Sequence, residues 1–335
     1  MQLTRETPKD PRQAMIPEAL PAASAQAHLD LLEQNIERVI KGKNSVVRMA
    51  IIGLLAGGHV LFEDVPGVGK TTLSQCLALS VNLSFQRIQG TSDLLPSDIL
   101  GVTVFDTEKK AFTFREGPIF ANIVLVDEIN RTTPKTQSAL LEAMNTAQVS
   151  IERVTYELPQ PFLVIATQNP YDSHGTFPLP KSQLDRFMLR LHLGHPDVEF
   201  EREILRDVRR PGDLSMVRPV LSSEEVIAMQ TGVRQVKVED SLLDYIVSLI
   251  NATRNSTMIE LGGSTRAALA LRNCAQAHAY INSRDYCIPD DVKSMAVPVL
   301  AHRLGIIRTF EDTAAYVGEG STAVFSILED TPVPI

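Results

Sequence analysis

Residues 63–72 read EDVPGVGKTT and lie between two apolar runs, Val60–Phe62 and Leu73–Val81. The first run predicts a short buried strand and the second an apolar helix. Glycines in such a loop allow successive backbone N–H groups to point at phosphate oxygens, and the helix N-terminus adds the positive end of its dipole. Strand, loop and helix together predict a P-loop that binds the phosphates of a nucleotide.

Within this loop, Lys70 is predicted to reach the β- and γ-phosphates, and the Thr71 hydroxyl is a predicted magnesium ligand. The pattern G-x-x-x-x-G-K-[ST] has its first glycine where this chain has Asp64. The alternative is a glycine-rich turn whose lysine is only solvated, although both flanking elements favour the P-loop. The residues assigned to ATP or ADP are Val39 and Ile40, at the end of the first predicted helix, and Asp64, Val65, Pro66, Gly67, Val68, Gly69, Lys70, Thr71 and Thr72.

A second motif, Ile123–Glu128 (IVLVDE), is an apolar strand that ends in two acids. Asp127 is predicted to hold magnesium through its water ligands, and Glu128 to polarise the water that attacks the γ-phosphate. Alternatively, the two acids cap the helix that follows. The combination with a P-loop favours the first interpretation, a Walker B strand.

Two further polar side chains are candidate site residues. Asn169 follows the apolar run Phe162–Ala166, and open α/β sheets bind ligands at the carboxyl ends of their strands. Asn169 is predicted to orient the water or the γ-phosphate, whereas an Asn-Pro pair by itself is typical of a turn. Arg186 precedes the last predicted strand, and its planar guanidinium fits a phosphate. Taken alone, the arginine is more typical of a surface ion pair, for example with Asp185.

Five apolar runs separated by helical or loop stretches predict the parallel sheet of an α/β domain, covered on both faces. The predicted strands are Val60–Phe62, Ser84–Ile88, Ile123–Val126, Phe162–Ala166 and Phe187–Leu193. Two pairs of short runs, on either side of residues 106–110 and 152–153, predict two inserted hairpins. After residue 196 only helical patterns recur, which predicts a second, helical domain.

These patterns divide the chain into five segments. Residues 1–27 hold four prolines and little periodicity, so they are predicted to be a mobile arm that cannot offset its ordering entropy. Residues 28–196 form the predicted nucleotide-binding domain with its two hairpins. Residues 197–221 are the predicted linker, 222–310 the helical domain and 311–335 a C-terminal tail.

Six strings, in this order, resemble the AAA+ ATPases and more narrowly the MoxR family. They are Glu63–Thr72 (EDVPGVGKTT), Phe114–Phe120 (FREGPIF), Asp127–Arg131 (DEINR), Lys135–Met144 (KTQSALLEAM), Thr167–Pro170 (TQNP) and Gly175–Phe187 (GTFPLPKSQLDRF). The match runs from about residue 33 to residue 304. The resemblance implies a P-loop NTPase core with a five-stranded parallel sheet flanked by helices, followed by a C-terminal all-α lid domain.

The resemblance also implies roles for three residues. Asn169 would be sensor 1, Arg186 the arginine finger acting on a neighbour's nucleotide, and Arg266 in the string GSTR would be sensor 2. A finger supplied in trans implies a ring, usually hexameric.

By the same resemblance, the two predicted hairpins correspond to the helix-2 insert and the pre-sensor hairpin, which point into the pore of the ring or toward a client. The alternative is two plain surface hairpins. Lys181–Ser182 departs from the Glu-Ala of many MoxR-like sequences, so the charge at the subunit junction differs.

The function expected from this resemblance is ATP hydrolysis that remodels or activates a protein client, in the manner of a chaperone. MoxR relatives often work with von Willebrand factor A domain proteins, which makes such a protein a candidate partner. One alternative is a nucleotide-gated binding module in which hydrolysis is incidental, and another is a chelatase-type or nucleic-acid motor subunit. A small-molecule phosphotransferase is disfavoured because Glu128, Asn169 and Arg186 prepare water rather than an acceptor hydroxyl.

Composition narrows the class of protein further. The 335 residues carry 32 Lys and Arg against 40 Asp and Glu, and the resulting charge of −8 disfavours a broad grip on nucleic acid or anionic lipid. The apolar run Met49–Gly58 is much shorter than the roughly 20 residues of a spanning helix. The three cysteines include no Cys-x-x-Cys pair, and the N-terminus lacks a signal-peptide core. We therefore expect a cytoplasmic protein without membrane insertion, and no metal other than magnesium.

Overall fold

The computed structural model describes residues 17–108, 110–170, 175–206, 213–307 and 318–334. A five-stranded sheet lies at its centre. Its strands are β1 (His59–Glu63), β2 (Phe85–Gln89), β5 (Ile123–Asp127), β8 (Leu163–Gln168) and β9 (Phe187–Leu191). They lie in the order β2-β5-β8-β1-β9, and all neighbouring strands are parallel. The predicted α/β class, with five parallel strands, is confirmed.

The helices of the first domain cover both faces of this sheet. They are α1 (Ala22–Glu37), α2 (Asn44–Leu55), α3 (Lys70–Ser80), α4 (Pro96–Leu100), α5 (Pro134–Thr146), α6 (Lys181–Leu184) and α7 (Val198–Arg206). Successive side chains of a strand point to opposite faces. Accordingly, Ile123 and Leu125 of β5 pack with α1–α3, whereas Val124 and Val126 pack with α4 and α5. The three central strands β5, β8 and β1 are covered on both faces, which explains why they are almost entirely buried, whereas the edge strands β2 and β9 include exposed or partly exposed polar residues.

Two antiparallel hairpins extend from this domain, at the places that the sequence predicts. The first consists of β3 (Gly101–Asp106) and β4 (Ala111–Glu116), and the second of β6 (Gln148–Ile151) and β7 (Val154–Glu157). Phe114 of the first hairpin stacks on Tyr156 of the second, with ring centroids 4.3 Å apart. At the outer end of the first hairpin, Phe105 and Phe112 are in edge contact and largely exposed.

The second domain is the predicted helical lid. Its elements are α8 (Ser223–Gln235), α9 (Asp240–Asn255), β10 (Ile259–Leu261), α10 (Thr265–Ile281), α11 (Pro289–Leu300), β11 (Gly305–Ile306) and α12 (Glu319–Asp330). Its core is continuous with the α1–α3 side of the sheet domain. Besides the helices, it contains one short antiparallel pair, β10 and β11. None of the helices in the described ranges has the length and hydropathy that a bilayer crossing requires.

The predicted arm ends too late. Helix α1 begins at Ala22, and Ala22 and Ala25 are buried. Before it, the Leu20 N–H donates to Ala228 O (3.1 Å), and the Tyr280 hydroxyl donates to Leu20 O (2.7 Å). Residues 20–27 therefore belong to the folded protein, because they pack on the lid helices α8 and α10. Residues 1–16 of the predicted arm lie outside the described residues.

The predicted linker and tail also differ from the structure. Within the linker, Val217 and Leu221 are buried, and Val220 N donates to Ser80 O (2.8 Å), so this segment packs along the end of α3. The predicted tail contains α12, whose Val324 is buried in the lid core. Gly320 allows this close packing, since a Cβ there would lie 2.5 Å from Ala301 O. Residues 207–212 and 311–317 fall outside the described ranges.

Candidate nucleotide site

The predicted P-loop joins β1 to α3 at the carboxyl end of the sheet. Gly67 and Gly69 have φ values of +85° and +100°, in the left-handed region that favours glycine. Gly69 immediately precedes α3, so the first N–H groups of that helix lack partners within it and face the loop. The backbone therefore forms a site for an anion at a helix N-terminus, as the sequence predicts.

Lys70 lies within this loop and is bonded to it. Its Nζ donates to the carbonyl oxygens of Val65 (2.7 Å) and Asp64 (3.1 Å). Burial lowers the pKa of Lys70 below its ordinary value, while the nearby carboxylates of Asp64, Asp127 and Glu128 act in the opposite direction. These bonds hold the ammonium group at the mouth of the loop, where a phosphate can replace the two carbonyls.

Asp64, which stands where the motif has glycine, uses its side chain for the protein itself. Its carboxylate accepts hydrogen bonds from the backbone N–H groups of Leu193 and Gly194, the latter at 3.2 Å. Those residues follow β9, at the start of the segment that leads to the lid. Asp64 lines the site, but its carboxylate binds the backbone just after β9. The predicted contact with the nucleotide would therefore be made by the backbone of Asp64.

The strand β5 ends at Asp127, between the ends of β2 and β8. The Oδ2 atom of Asp127 accepts from Arg87 Nε (2.7 Å) and lies 3.4 Å from Thr71 Oγ1, and its Oδ1 accepts from Thr167 Oγ1 (3.2 Å). A hydroxyl of the P-loop and a carboxylate of the neighbouring strand thus face each other. Such hard oxygen ligands suit magnesium, which the sequence assigns to Thr71 and Asp127.

Glu128 has a left-handed backbone conformation (φ 56°, ψ 52°), which costs a residue other than glycine about 1–3 kcal/mol and often marks a functional site. Its N–H donates to Thr167 Oγ1 (2.9 Å). Its carboxylate Oε2 is bonded by Arg131 Nε (3.1 Å) and Gln89 Nε2 (3.3 Å). Gly90 permits this arrangement, because a Cβ there would lie 2.3 Å from Glu128 O. The carboxylate is therefore held at the edge of the site.

A cavity of about 320 Å³ brings most of the predicted site residues together. Its lining includes Asp64, Pro66, Gly67, Gly69, Lys70, Thr71, Thr72, Asp127, Glu128 and Asn169, together with Arg87, Gln89, Thr167 and Gln168. Parallel strands bring their carboxyl ends to one edge, which is why residues far apart in the chain meet here. The loop residues Val65 and Val68 are not part of the lining.

Four residues assigned to the site lie elsewhere. Ile40 belongs to the hydrophobic core and Val39 packs against it, so the structure does not bring them into the cavity. Arg186 is outside the lining, and its Nη1 donates to Leu141 O (2.6 Å) in α5. Arg266 is exposed in the first turn of α10, on the lid. The two arginines are thus at the surface of the core and of the lid, not around the phosphate loop.

Sequence reasoning missed Arg87 and Gln89. Both lie on β2, whose sequence FQRIQ is the most polar of the five strands, and their side chains contact Asp127, the predicted magnesium ligand, and Glu128, the predicted catalytic acid. The signal was present in those polar residues near the end of a predicted strand. It could not be used, because the position of β2 beside β5 depends on strand order.

Comparisons with known proteins agree with this geometry. The family model described as "ATPase family associated with various cellular activities (AAA)" matches residues 59–189, and a model of the AAA lid domain matches residues 251–319. The protein YeaC of Bacillus subtilis is 46% identical over 81% of this chain and 85% of its own length. Chaperone MoxR1 of Mycobacterium tuberculosis is 40% identical over 80% of this chain and 73% of its own length.

The fold is shared with a solved structure. A crystal structure of a protein from Cytophaga hutchinsonii matches with a TM-score of 0.84 and 36% sequence identity. The match covers 93% of this chain and 96% of that one. The arrangement of sheet domain and lid is therefore common to both proteins.

Proposed function

Because this chain belongs to the MoxR family of AAA+ ATPases, we propose that it hydrolyses ATP with the help of magnesium and uses the cycle to remodel or activate a protein client. The observation that carries this proposal is the cavity at the sheet edge. It places the P-loop, two strand-end acids and Asn169 around one space. This set of residues is suited to preparing a water molecule for attack on a phosphate.

The chemistry of the donor set fits magnesium. Thr71 Oγ1 would ligate the ion directly, and Asp127 Oδ2, 3.4 Å from it, would hold the ion through a bound water molecule. When bound, magnesium neutralises charge that develops on the transferred phosphoryl group. In the same space Arg87 bonds the Asp127 carboxylate. Arg87 must therefore share or release that carboxylate when the ion enters.

Three side chains then act directly on the nucleotide or the water. Lys70 exchanges the carbonyls of Asp64 and Val65 for the β- and γ-phosphate oxygens. Glu128 accepts a proton from the attacking water, for which its carboxylate must turn away from Arg131 and Gln89. Asn169, at the end of β8, orients that water or the γ-phosphate.

Arg186 completes the site of a neighbouring subunit. Its place outside its own cavity supports a role in trans, which requires a ring such as a hexamer. An arginine finger is worth about 10³- to 10⁵-fold in rate. Arg266, exposed on the lid, is proposed to contact a nucleotide as sensor 2.

The client is proposed to be a protein, since MoxR1 is named a chaperone. A von Willebrand factor A domain protein is the candidate partner that the family resemblance suggests. The two hairpins are the proposed contact surface, because Phe105 and Phe112 are exposed on a small domain extension that Phe114 and Tyr156 hold in place.

The decisive experiment measures ATPase activity of Glu128→Gln and Arg186→Ala, separately and mixed. We expect both variants to be inactive alone and the mixture to regain activity, because an Arg186→Ala site next to a Glu128→Gln subunit receives that subunit's finger. Native mass spectrometry of the mixture verifies that subunits exchange. If the exchanging mixture stays inactive while wild type hydrolyses ATP, Arg186 acts within its own subunit, and a nucleotide-gated binding module becomes the better function.

A further inference from the structure

The lid grips the short segment that carries Arg186. This segment, Asp185–Arg186, lies between α6 and β9 in the sheet domain. Ser264, the N-cap residue of α10 in the lid, donates its hydroxyl to both carboxylate oxygens of Asp185, at 3.1 and 3.3 Å. Arg303, which follows α11, donates Nε to Asp185 Oδ1 at 2.9 Å. Two separate lid elements therefore hold one carboxylate next to the proposed finger.

Arg303 also holds the backbone around Arg186. Its guanidinium donates to the carbonyl oxygens of Phe187 (2.8 Å), Met188 (3.2 Å) and Asp185 (3.4 Å), and to Val299 O within the lid. The residue is only 5% exposed. Burial lowers the pKa of Arg303, and the Asp185 carboxylate acts in the opposite direction. The Arg303 guanidinium therefore holds the lid and the sheet domain together. Breaking any one of its hydrogen bonds is costly, because the buried charge would then lack an acceptor.

Arg186 itself has few contacts that would fix it independently. Its Nη1 bonds the single carbonyl of Leu141, and its Nε is buried without a hydrogen-bond partner among the described residues. Its backbone, in contrast, is bracketed by the peptide groups that Arg303 binds on either side. The backbone at Arg186 is thus held from two sides, by the lid through Arg303 and by the sheet domain, where Arg186 N donates to Gln183 O (3.1 Å).

We propose that Asp185 is a positioning residue that couples the lid of a subunit to Arg186 of the same subunit, and so to the nucleotide of its neighbour. The proposal rests on the proposed function, in which Arg186 acts in trans and the lid responds to the nucleotide. Ser264 is two residues before Arg266, the proposed sensor 2, at the same end of α10. A shift of the α10 N-terminus on contact with a nucleotide acts on the Asp185 carboxylate through the Ser264 hydrogen bond. Asp185 is the residue directly before Arg186 in the chain, so the shift also moves the finger.

The test uses Asp185→Asn, which keeps the shape of the side chain and removes the charge that Arg303 and Ser264 bind. We expect kcat to fall about 10-fold or more, because misplacing a catalytic group by about 1 Å can cost up to 10²-fold. Affinity for a fluorescent ATP analogue should stay within about two-fold, because the variant's own cavity is intact. A purely structural role would weaken both.

Subunit mixing separates an effect on the finger from an effect on the variant's own site. Mixed with Glu128→Gln, Asp185→Asn should recover to about a quarter of the wild-type rate, since random assembly in a head-to-tail ring gives half of its intact sites a neighbour with a working finger. Mixed with Arg186→Ala, it should not recover, because neither subunit supplies one. If it fails to recover with Glu128→Gln while Arg186→Ala does recover, Asp185 acts on its own site and the proposal is wrong. If neither Asp185→Asn nor Arg186→Ala recovers with Glu128→Gln, the proposed function is wrong in assigning Arg186 to the neighbouring subunit's site, and the coupling falls with it.

A second pair of variants decides the matter if Asp185→Asn does not fold, as judged by circular dichroism. Ser264→Ala and Ser222→Ala each remove a serine that caps a lid helix, α10 and α8 respectively, but only Ser264 bonds Asp185. We expect Ser264→Ala to lower kcat about three-fold with its affinity for the ATP analogue unchanged, whereas Ser222→Ala keeps wild-type activity. Equal activities in the two variants would overturn the coupling.

Discussion

The nucleotide site and the lid use the same kinds of polar bond under opposite conditions of exposure. At the site, Lys70 bonds its own loop, Asp127 bonds Arg87 and Glu128 bonds Arg131; Asp127 is buried, but each of these bonds has at least one partly exposed partner. In the lid, Asp291 is fully buried and accepts from Arg284 (2.6 and 2.7 Å), His278 (2.6 Å) and Ile288 N (2.8 Å).

This difference separates bonds that a ligand can exchange from bonds that only unfolding can break. An exposed pair contributes little to stability, because water replaces either partner at small cost. A buried ion pair stabilises the fold about as much as hydrophobic residues of similar size would. Removing only one of its partners is costly, because the other charge is then buried without a partner. Substitutions at the site should therefore change activity with little loss of stability, and substitutions in the lid should do the reverse.

The largest expected effect is that of Lys70→Ala. Removing the cation that contacts the phosphates should lower kcat/KM for ATP about 10³-fold, or about 4 kcal/mol of transition-state stabilisation. The midpoint of thermal unfolding without nucleotide should change by less than about 2 °C, because the lysine bonds only two partly buried carbonyls of its own loop. Steady-state ATPase assays and calorimetry measure the two quantities, with the exposed Lys237→Ala as control. A loss of several degrees would show that Lys70 is structural as well.

The lid counterpart is Asp291→Asn, which should lower the free energy of unfolding by about 3 kcal/mol at pH 7 while ATP-analogue affinity stays within about two-fold. Despite burial, which raises it, the hydrogen bonds from Arg284, His278 and Ile288 lower the pKa of Asp291 from 3.8 to about 2.

Because the folded-state pKa is the lower one, the stability that the Asp291 charge provides is complete above pH 3.8 and is lost as the pH falls toward about 2. Urea unfolding of wild type and variant at pH 7, 4 and 2.5 should show the difference shrinking only in the last step. The exposed Asp330→Asn is the control. A constant difference down to pH 2.5 would contradict the assignment of this stability to the Asp291 charge.

The sequence was sufficient for the parts of the site that depend on strand ends alone. Asp127, Glu128 and Asn169 each follow an apolar run, and parallel strands bring such positions to one edge without further information. Lys70 and Thr71 were predictable because strand, loop and helix are contiguous. The same local contiguity explains why the five strands and two hairpins could be predicted.

The remaining features depend on partners that are distant in the chain. Asp64 binds the backbone of Leu193, 129 residues away, so its departure from the motif had no visible reason. Arg87 reaches Asp127 only because β2 is the neighbour of β5, and strand order follows from how helices cross over the sheet. Residues 20–27 looked mobile because their contacts are with the lid, and the small residues Ala22 and Ala25 give a weak apolar signal.

A moderate effect on magnesium binding is expected for Arg87→Ala. The bond between Arg87 and Asp127 is intermediate between the two kinds, because it joins a half-exposed side chain to a buried one. Arg87 is half-exposed, so its bond to Asp127 contributes only about 1 kcal/mol, and its removal should lower the magnesium concentration for half-maximal ATP-analogue binding about five-fold. Fluorescence titrations with magnesium measure this, and the exposed Arg234→Ala is the control. If more magnesium is required instead, Arg87 supports the ion or the phosphates rather than competing for Asp127.

The smallest expected effect is that of Ser222→Ala, which tests whether the lid is uncoupled from hydrolysis away from Asp185. Ser222 caps α8 in a reciprocal pair: Glu225 N donates to Ser222 Oγ (3.3 Å), and Ser222 N donates to the Glu225 carboxylate (2.7 Å). The substitution removes one of these two bonds and should cost about 1 kcal/mol of unfolding free energy. Because the remaining bond keeps the helix start in place, ATPase activity should match wild type. A fall in kcat without a change in stability would mean that lid residues remote from Asp185 also affect ATP hydrolysis. Bonds in the lid could then not be assigned to stability alone.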